Sequence, residues 1–455
     1  MTLIDLDALQ ADLARTPKRH RCGRIAAADG GSLTISGLGA EARLGDRILI
    51  AERPDQTGIV GEIIALSGED AQAMTVGVAD GVAIGDPVWL SPDVPIRPSP
   101  AWQGRVIDAY GQPLDGRPLP LGAQAAPLRR APPPAATRGG LGQRVRTGLA
   151  VTDSLLPLAK GQRIGIFAGS GVGKSTLLAT FAKNIEADIV VFALIGERGR
   201  ELNEFMADGL GPEGMKRAVL VVATSDESAL TRRRAAWTAM AVAETFRDEG
   251  KHVLLIVDSL TRFAEAHREI ALTAGETPSL RAYPPSTSSM IAALAERAGP
   301  AGRRDADGAI TAVLSVLVAG SDMEEPVADI TRGVLDGHIV LDRSIAERGR
   351  FPAVDLGKSV SRCLPKAANN AENALIAEAR RLIHVYERAE PMIQTGLYQP
   401  GNDKEIDRAV RLFPALDQFM AQSLPVDERD NSPSAFRRLA DLLREADGGD
   451  ASDGG

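Results

Sequence analysis

The stretch Ala168-Gly169-Ser170-Gly171-Val172-Gly173-Lys174-Ser175 follows the apolar run Arg163-Ile164-Gly165-Ile166-Phe167 and precedes Thr176-Leu177-Leu178. An apolar strand, a glycine loop and a helix start, in that order, predict a phosphate-binding loop. Glycines let successive backbone N–H groups curl inward around a phosphate, and the helix beyond adds the positive end of its dipole. Lys174 is the residue that would reach the β- and γ-phosphates, and Ser175 the one that would hold Mg2+. Gly169, Ser170, Gly171, Val172, Gly173 and Thr176 complete the candidate nucleotide contacts. The first position is Ala168 where glycine is usual, but the turn glycines and the Lys-Ser pair remain.

The chain has 455 residues, enough for roughly two to four domains. Its 44% hydrophobic and 25% charged residues are ordinary for a soluble globular protein. No apolar run reaches the ~18 residues of a membrane span, and no secretory signal pattern opens the chain, which predicts a cytoplasmic location. Two cysteines, Cys22 and Cys363, lie too far apart for a metal motif, and the five histidines are scattered. A net charge of −8 argues against a general nucleic-acid surface.

Five segments follow from the pattern. Residues 1–20 place Leu6, Leu9 and Leu13 at helical spacing, which suits either a helix packed on the body or an amphipathic docking segment. Residues 21–95 hold short alternating runs (32–35, 46–50, 58–64, 73–76) separated by Gly and Asp, as in a small β-barrel. A Pro/Gly-rich connector covers 126–140. Residues 96–365 form an α/β core, with continuous apolar strands at 163–168, 188–195, 218–223, 253–257 and 310–317, which predicts a parallel sheet covered on both faces. Residues 366–446 read as helices, one with Leu375, Ile376, Ala379, Leu382, Ile383 and Tyr386 on a single face. Residues 447–455, rich in Asp and Gly, read as a disordered tail.

Hydrolysis of a bound nucleotide needs a metal ion, an oriented water and positive charge where the transition state becomes negative. Val253-Leu254-Leu255-Ile256-Val257-Asp258 is a buried strand ending in a carboxylate at the sheet edge where ligands bind. Asp258 is thus a candidate on the metal side, with a helix N-cap as the plain alternative. Ile195-Gly196-Glu197-Arg198-Gly199-Arg200-Glu201 follows the next strand, so Glu197 is expected one strand over from Lys174, able to polarise an attacking water. A solvated charged loop is the alternative there. Arg198 is a candidate phosphate contact. Arg362, beyond the last strand, is a candidate for an arginine delivered to a neighbouring subunit, although its chemistry alone does not distinguish it from a surface arginine.

Together these residues resemble a known family. Phe167 to Leu178, Gly196-Glu197-Arg198-Gly199-Arg200-Glu201, Asp258-Ser259-Leu260-Thr261-Arg262-Phe263, Tyr283-Pro284-Pro285-Ser286, Pro326-Val327-Ala328-Asp329, Arg332 to Leu341 and Phe351-Pro352-Ala353-Val354-Asp355 are similar to the motifs of the flagellum-specific type III export ATPases. These are relatives of the α and β subunits of rotary ATP synthases. The resemblance spans about residues 20 to 425. It implies a RecA-like P-loop core with an N-terminal β-barrel domain and a C-terminal helical domain. It implies ATP and Mg2+ as ligands, Glu197 as the catalytic glutamate, Lys174 and Ser175 on phosphate and metal, and Asp258 as the Walker-B carboxylate. It further implies Arg362 as an arginine finger in a homohexamer, Phe351 stacked on adenine and Phe419 as a second adenine contact.

The reading is then an ATPase serving flagellar protein export, peripheral to the inner membrane. The partners implied are a regulatory stator-like dimer at residues 1–20, a central stalk protein, an export gate membrane protein and chaperone–cargo complexes. Nearby alternatives are a virulence-type secretion ATPase and a rotary proton-ATPase β subunit, whose loop usually reads Gly-Gly-Ala-Gly-Val-Gly-Lys-Thr. More distant ones are an RNA-dependent ring translocase and a nucleotide-gated module without hydrolysis. Residues 22–95 hold no Phe or Tyr and only Trp89, a poor base-stacking platform.

Overall fold

The computed structural model describes residues 22–29, 31–50, 58–91, 95–136, 138–302, 304, 307–318, 323–424 and 434–448. The docking segment expected at 1–20 lies outside them.

Strands β1 (Cys22–Asp29), β2 (Ser32–Ser36), β3 (Arg47–Ile50), β4 (Ile59–Ser67), β5 (Asp70–Thr75) and β6 (Pro87–Ser91) close into an antiparallel barrel in the order β1-β2-β5-β4-β3-β6. The period of two in the sequence is the cause: Leu33 and Ile35 of β2, and Ile48 and Ile50 of β3, face inward and are buried, while their neighbours are not. The seam pairs Cys22 with Trp89 and Gly23 with Val88. β1 was not legible in the sequence because glycine occupies one of its inward positions. A Cβ at Gly23 would stand 2.7 Å from the Ile35 and Leu38 side chains, so the barrel's own filling excludes a larger residue. The compact unit built on this barrel also takes in residues 227–231 and 266–284, which the sequence reading assigned to the core. Met74 is buried there with Ala229, Leu230, Ala266 and Ile270.

The second unit holds β7 (Arg105–Asp108), β8 (Arg144–Val145), β9 (Leu158–Ala159), β10 (Arg163–Ala168), β11 (Ile189–Glu197), β12 (Ala218–Thr224), β13 (His252–Asp258), β14 (Gly299–Pro300), β15 (Ala309–Leu317), β16 (Gly337–Leu341) and β17 (Val354–Ser361). β8 and β9 form a small ribbon. The others make one sheet in the order β17-β16-β10-β15-β13-β11-β12-β7, with β14 beside β15. All its pairs are parallel except β16–β17 and β14–β15. The five expected apolar strands are β10, β11, β12, β13 and β15. β17 escaped the reading because it is an edge strand with exposed Gly357 and Lys358, so its apolar run is broken.

The helices are α1 (Lys174–Asn184), α2 (Gly199–Glu204), α3 (Gly211–Lys216), α4 (Ala229–Asp248), α5 (Leu260–Thr273), α6 (Ser286–Glu296), α7 (Pro326–Val334), α8 (Arg343–Glu347), α9 (Asn370–Gln394), α10 (Lys404–Met420) and α11 (Ala435–Gly448). α9 opens on a capping box: the Glu372 N–H donates to Asn369 Oδ1, and the Asn369 N–H donates to Glu372 Oε2, both at 2.9 Å. Its Ile376, Ala379, Leu382 and Ile383 enter the same hydrophobic cluster as Ile164, Ile166 and Leu356 of the sheet. The C-terminal helices therefore pack on the sheet and share its hydrophobic cluster. Asp447 and Gly448, read as tail, end α11.

Candidate nucleotide site

β10 ends at Ala168, and the chain turns through Gly171 (φ 79°) and Gly173 (φ 88°) into α1. Both angles lie in the left-handed region, where glycine carries no Cβ penalty. Lys174 is the first residue of α1. Its ammonium forms an ion pair with Asp258, the last residue of β13, and lies 3.7 Å from Oε1 of Glu197, the last residue of β11. Asp258 is 4% exposed, and its Oδ1 also accepts a 2.6 Å hydrogen bond from Ser315 Oγ on β15. Buried polar groups need such partners, because water is not there to supply them.

Glu197 is not on the strand next to β10. β15 and β13, which come later in the sequence, lie between. The carboxylate still reaches the lysine, since β11 runs three residues beyond the Leu194–Asp258 register pair. Gly196 makes that extension possible: it has φ 73°, and a Cβ there would stand 2.9 Å from Arg262 Cγ. Burial raises the Glu197 carboxyl to about 7; Lys174 opposes this, and the charges of Asp258 and Glu201 add to it.

A cavity of about 460 Å3 opens beside the loop, with Ser175, Thr176, Glu197, Glu201 and Asp258 in its wall. These are oxygen donors suited to a hard cation. Among the described residues no group of three or more His, Cys, Asp or Glu could hold a metal. The oxygens of Ser175 and Asp258 fit Mg2+, which binds through one or two protein oxygens plus substrate phosphates and water.

The other candidates fall in three places. Phe351 is half exposed and borders the loop, with its Cδ1 3.2 Å from where a Cβ on Gly173 would lie. Arg198 is the residue before α2, with its side chain 79% exposed and 3.9 Å from Glu201, so it is not part of the lysine–carboxylate cluster. Phe419 is corrected: it lies on the inner face of α10, 1% exposed within the hydrophobic core, and offers no ring face to a ligand. Arg362 is exposed, and its backbone N–H donates to Asp336 O at 3.0 Å. Asp336 also pairs with Arg163, the first residue of β10. Arg362 therefore stands at the end of the sheet opposite to Lys174.

Sequence reasoning missed Ser315. Its signal was a small hydroxyl inside the apolar run of β15.

Residues 148–361 match the family model for the ATP synthase alpha/beta family, nucleotide-binding domain, and residues 368–441 match the T3SS EscN ATPase C-terminal domain. The "Flagellum-specific ATP synthase" of Caulobacter vibrioides is 44% identical over 428 residues, which cover 93% of this chain and 96% of that protein. The chain belongs to the flagellar and type III secretion ATPase family. It is an ATP hydrolase of the ATP synthase alpha/beta type. The assembled ATPase EscN of enteropathogenic Escherichia coli has a TM-score of 0.84 at 37% identity, covering 92% of this chain and 100% of that one. The same ATPase in complex with its central stalk EscO gives 0.81, again at 37% identity, with 92% and 100% covered. Among the described residues no helix is long and apolar enough to cross a membrane.

Proposed function

We propose that this ATPase hydrolyses ATP with Mg2+ in a homohexameric ring and serves flagellar type III protein export. The observation that carries the reading is the Lys174 ammonium lying between Asp258 and Glu197 at the carboxyl edge of the sheet. The backbone N–H groups of 169–175 and Lys174 bind the β- and γ-phosphates. Ser175 and Asp258 hold the Mg2+ side, and the ion, when bound, neutralises phosphate charge. Glu197 orients a water for in-line attack on the γ-phosphate and accepts its proton. Phe351 stacks on the adenine. Arg198 adds charge from the rim of the site. Arg362 supports the ring reading: it lies at the far end of its own sheet, where it can serve only a neighbour's phosphates.

Export partners follow the same reading. A central stalk occupies the ring, as a stalk accompanies EscN. An export gate membrane protein, a regulatory dimer at residues 1–20 and chaperone–cargo complexes complete the set, at the inner-membrane export apparatus. No nucleic acid is among the partners. The flagellar assignment rests on the names of the relatives. The likeness to EscN keeps a virulence-type system as the second reading. A deletion strain scored for filaments, motility and secreted effectors separates the two. For the chemistry, Glu197→Gln should bind ATP normally while kcat falls by about 100-fold or more. Normal turnover in that variant removes Glu197 from the mechanism.

A further inference from the structure

The segment that carries Phe351 is anchored from outside the sheet. Arg350 Nη1 and Nη2 donate to Pro352 O (3.2 Å) and Val354 O (2.9 Å), folding the turn around the guanidinium. Its Nε lies 3.0 Å from Asp417 Oδ1 on α10, with the arginine side chain 6% exposed and the aspartate 27%. A cavity of about 140 Å3, with Arg350, Asp417, Phe413 and Ile383 in its wall, lies at this junction. The ion pair therefore bridges a gap that apolar packing does not fill. A second strut, Arg348 to Glu390 at 3.3 Å, is largely exposed and contributes little. On α9 and α10, Tyr386 and Phe413 stack at 3.6 Å and 6°, which ties the helix carrying Asp417 to its neighbour.

We propose that Asp417 and Arg350 are positioning residues for base recognition: the C-terminal helices help to hold Phe351 at the phosphate loop through this half-buried ion pair. A movement of α10 is then felt as a change in nucleotide affinity, while Lys174, Asp258 and Glu197, carried by the central strands and α1, stay in place. The inference rests on the reading of Phe351 as the adenine contact.

The test measures kcat and KM for ATP and GTP, with Tm, in the full-length protein. Asp417→Ala should raise KM for ATP about five- to tenfold, hold kcat within about twofold and narrow the ATP-over-GTP ratio of kcat/KM. Asp417→Glu, which keeps the charge, should restore most of the affinity. Phe351→Ala should raise KM by itself, and adding Asp417→Ala to it should change nothing further. An Asp417→Ala protein with lowered Tm but unchanged KM and base ratio overturns the proposal, as does additivity with Phe351→Ala. If Asp417→Ala does not fold, Asp417→Asn is read by the same criteria. Unchanged KM in Phe351→Ala would instead sink the adenine reading, so the two failures are distinguishable.

Discussion

Ser315 shows how one small side chain joins the lysine–carboxylate cluster from a neighbouring strand. It is fully buried, and its hydroxyl has Asp258 Oδ1 as its acceptor at 2.6 Å. The same carboxylate is paired with Lys174. Hydrogen bonds to charged groups are worth about 1.5–3 kcal/mol. Ser315→Ala should therefore lower the unfolding free energy by about 1.5–3 kcal/mol and kcat/KM for ATP by about tenfold; a urea melt with steady-state kinetics checks both, and wild-type values would show the bond to be idle. Lys174, Ser175, Glu197 and Asp258 were legible because each follows an apolar strand or a glycine turn, a pattern set by local chemistry. Ser315 was not, because its partner comes from another strand and only the sheet order brings the two together. Phe419 was misread for the same reason: which face of α10 it occupies depends on what packs there.

At the scale of elements, charge also joins helices. Glu244 of α4 and Arg297, just after α6, form a bidentate pair at 2.6 and 3.1 Å, each side chain under 5% exposed. Arg297 donates further to Leu128 O at 2.7 Å, and Arg247 donates to Arg297 O at 2.8 Å. Truncating one partner leaves a buried charge without its counter-ion. Glu244→Ala should thus lower unfolding free energy by about 3–5 kcal/mol, seen as a shifted urea midpoint, whereas Glu244→Leu with Arg297→Met should recover most of it. The five central strands were legible as continuous Val/Ile/Leu runs, since both their faces are covered. β7, β16 and β17 are short or lie toward the sheet edges, and β1 has a glycine where an apolar residue would mark the pattern. Hydrophobic period reports burial, and these strands are only partly buried or are too brief to show a period.

At the scale of the whole molecule, the proposed mechanism divides the active site between copies. Asp336 ties Arg362 to the start of β10, and Lys174 follows the end of that strand. A lone subunit therefore holds its guanidinium and its phosphate loop at opposite edges of one sheet. Specific activity should rise with protein concentration as rings form; a flat dependence, with monomers confirmed by light scattering, would remove the intersubunit role. Arg362→Ala should keep nucleotide binding and lose most turnover.

Such a division permits rescue between two silent proteins. An Arg362→Ala subunit still offers an intact phosphate face, and a Glu197→Gln subunit still offers an intact arginine to its neighbour. In a one-to-one random mixture about a quarter of head-to-tail interfaces would join the two good halves. Activity that emerges only on mixing would mark this enzyme as one whose smallest working unit is a junction between chains.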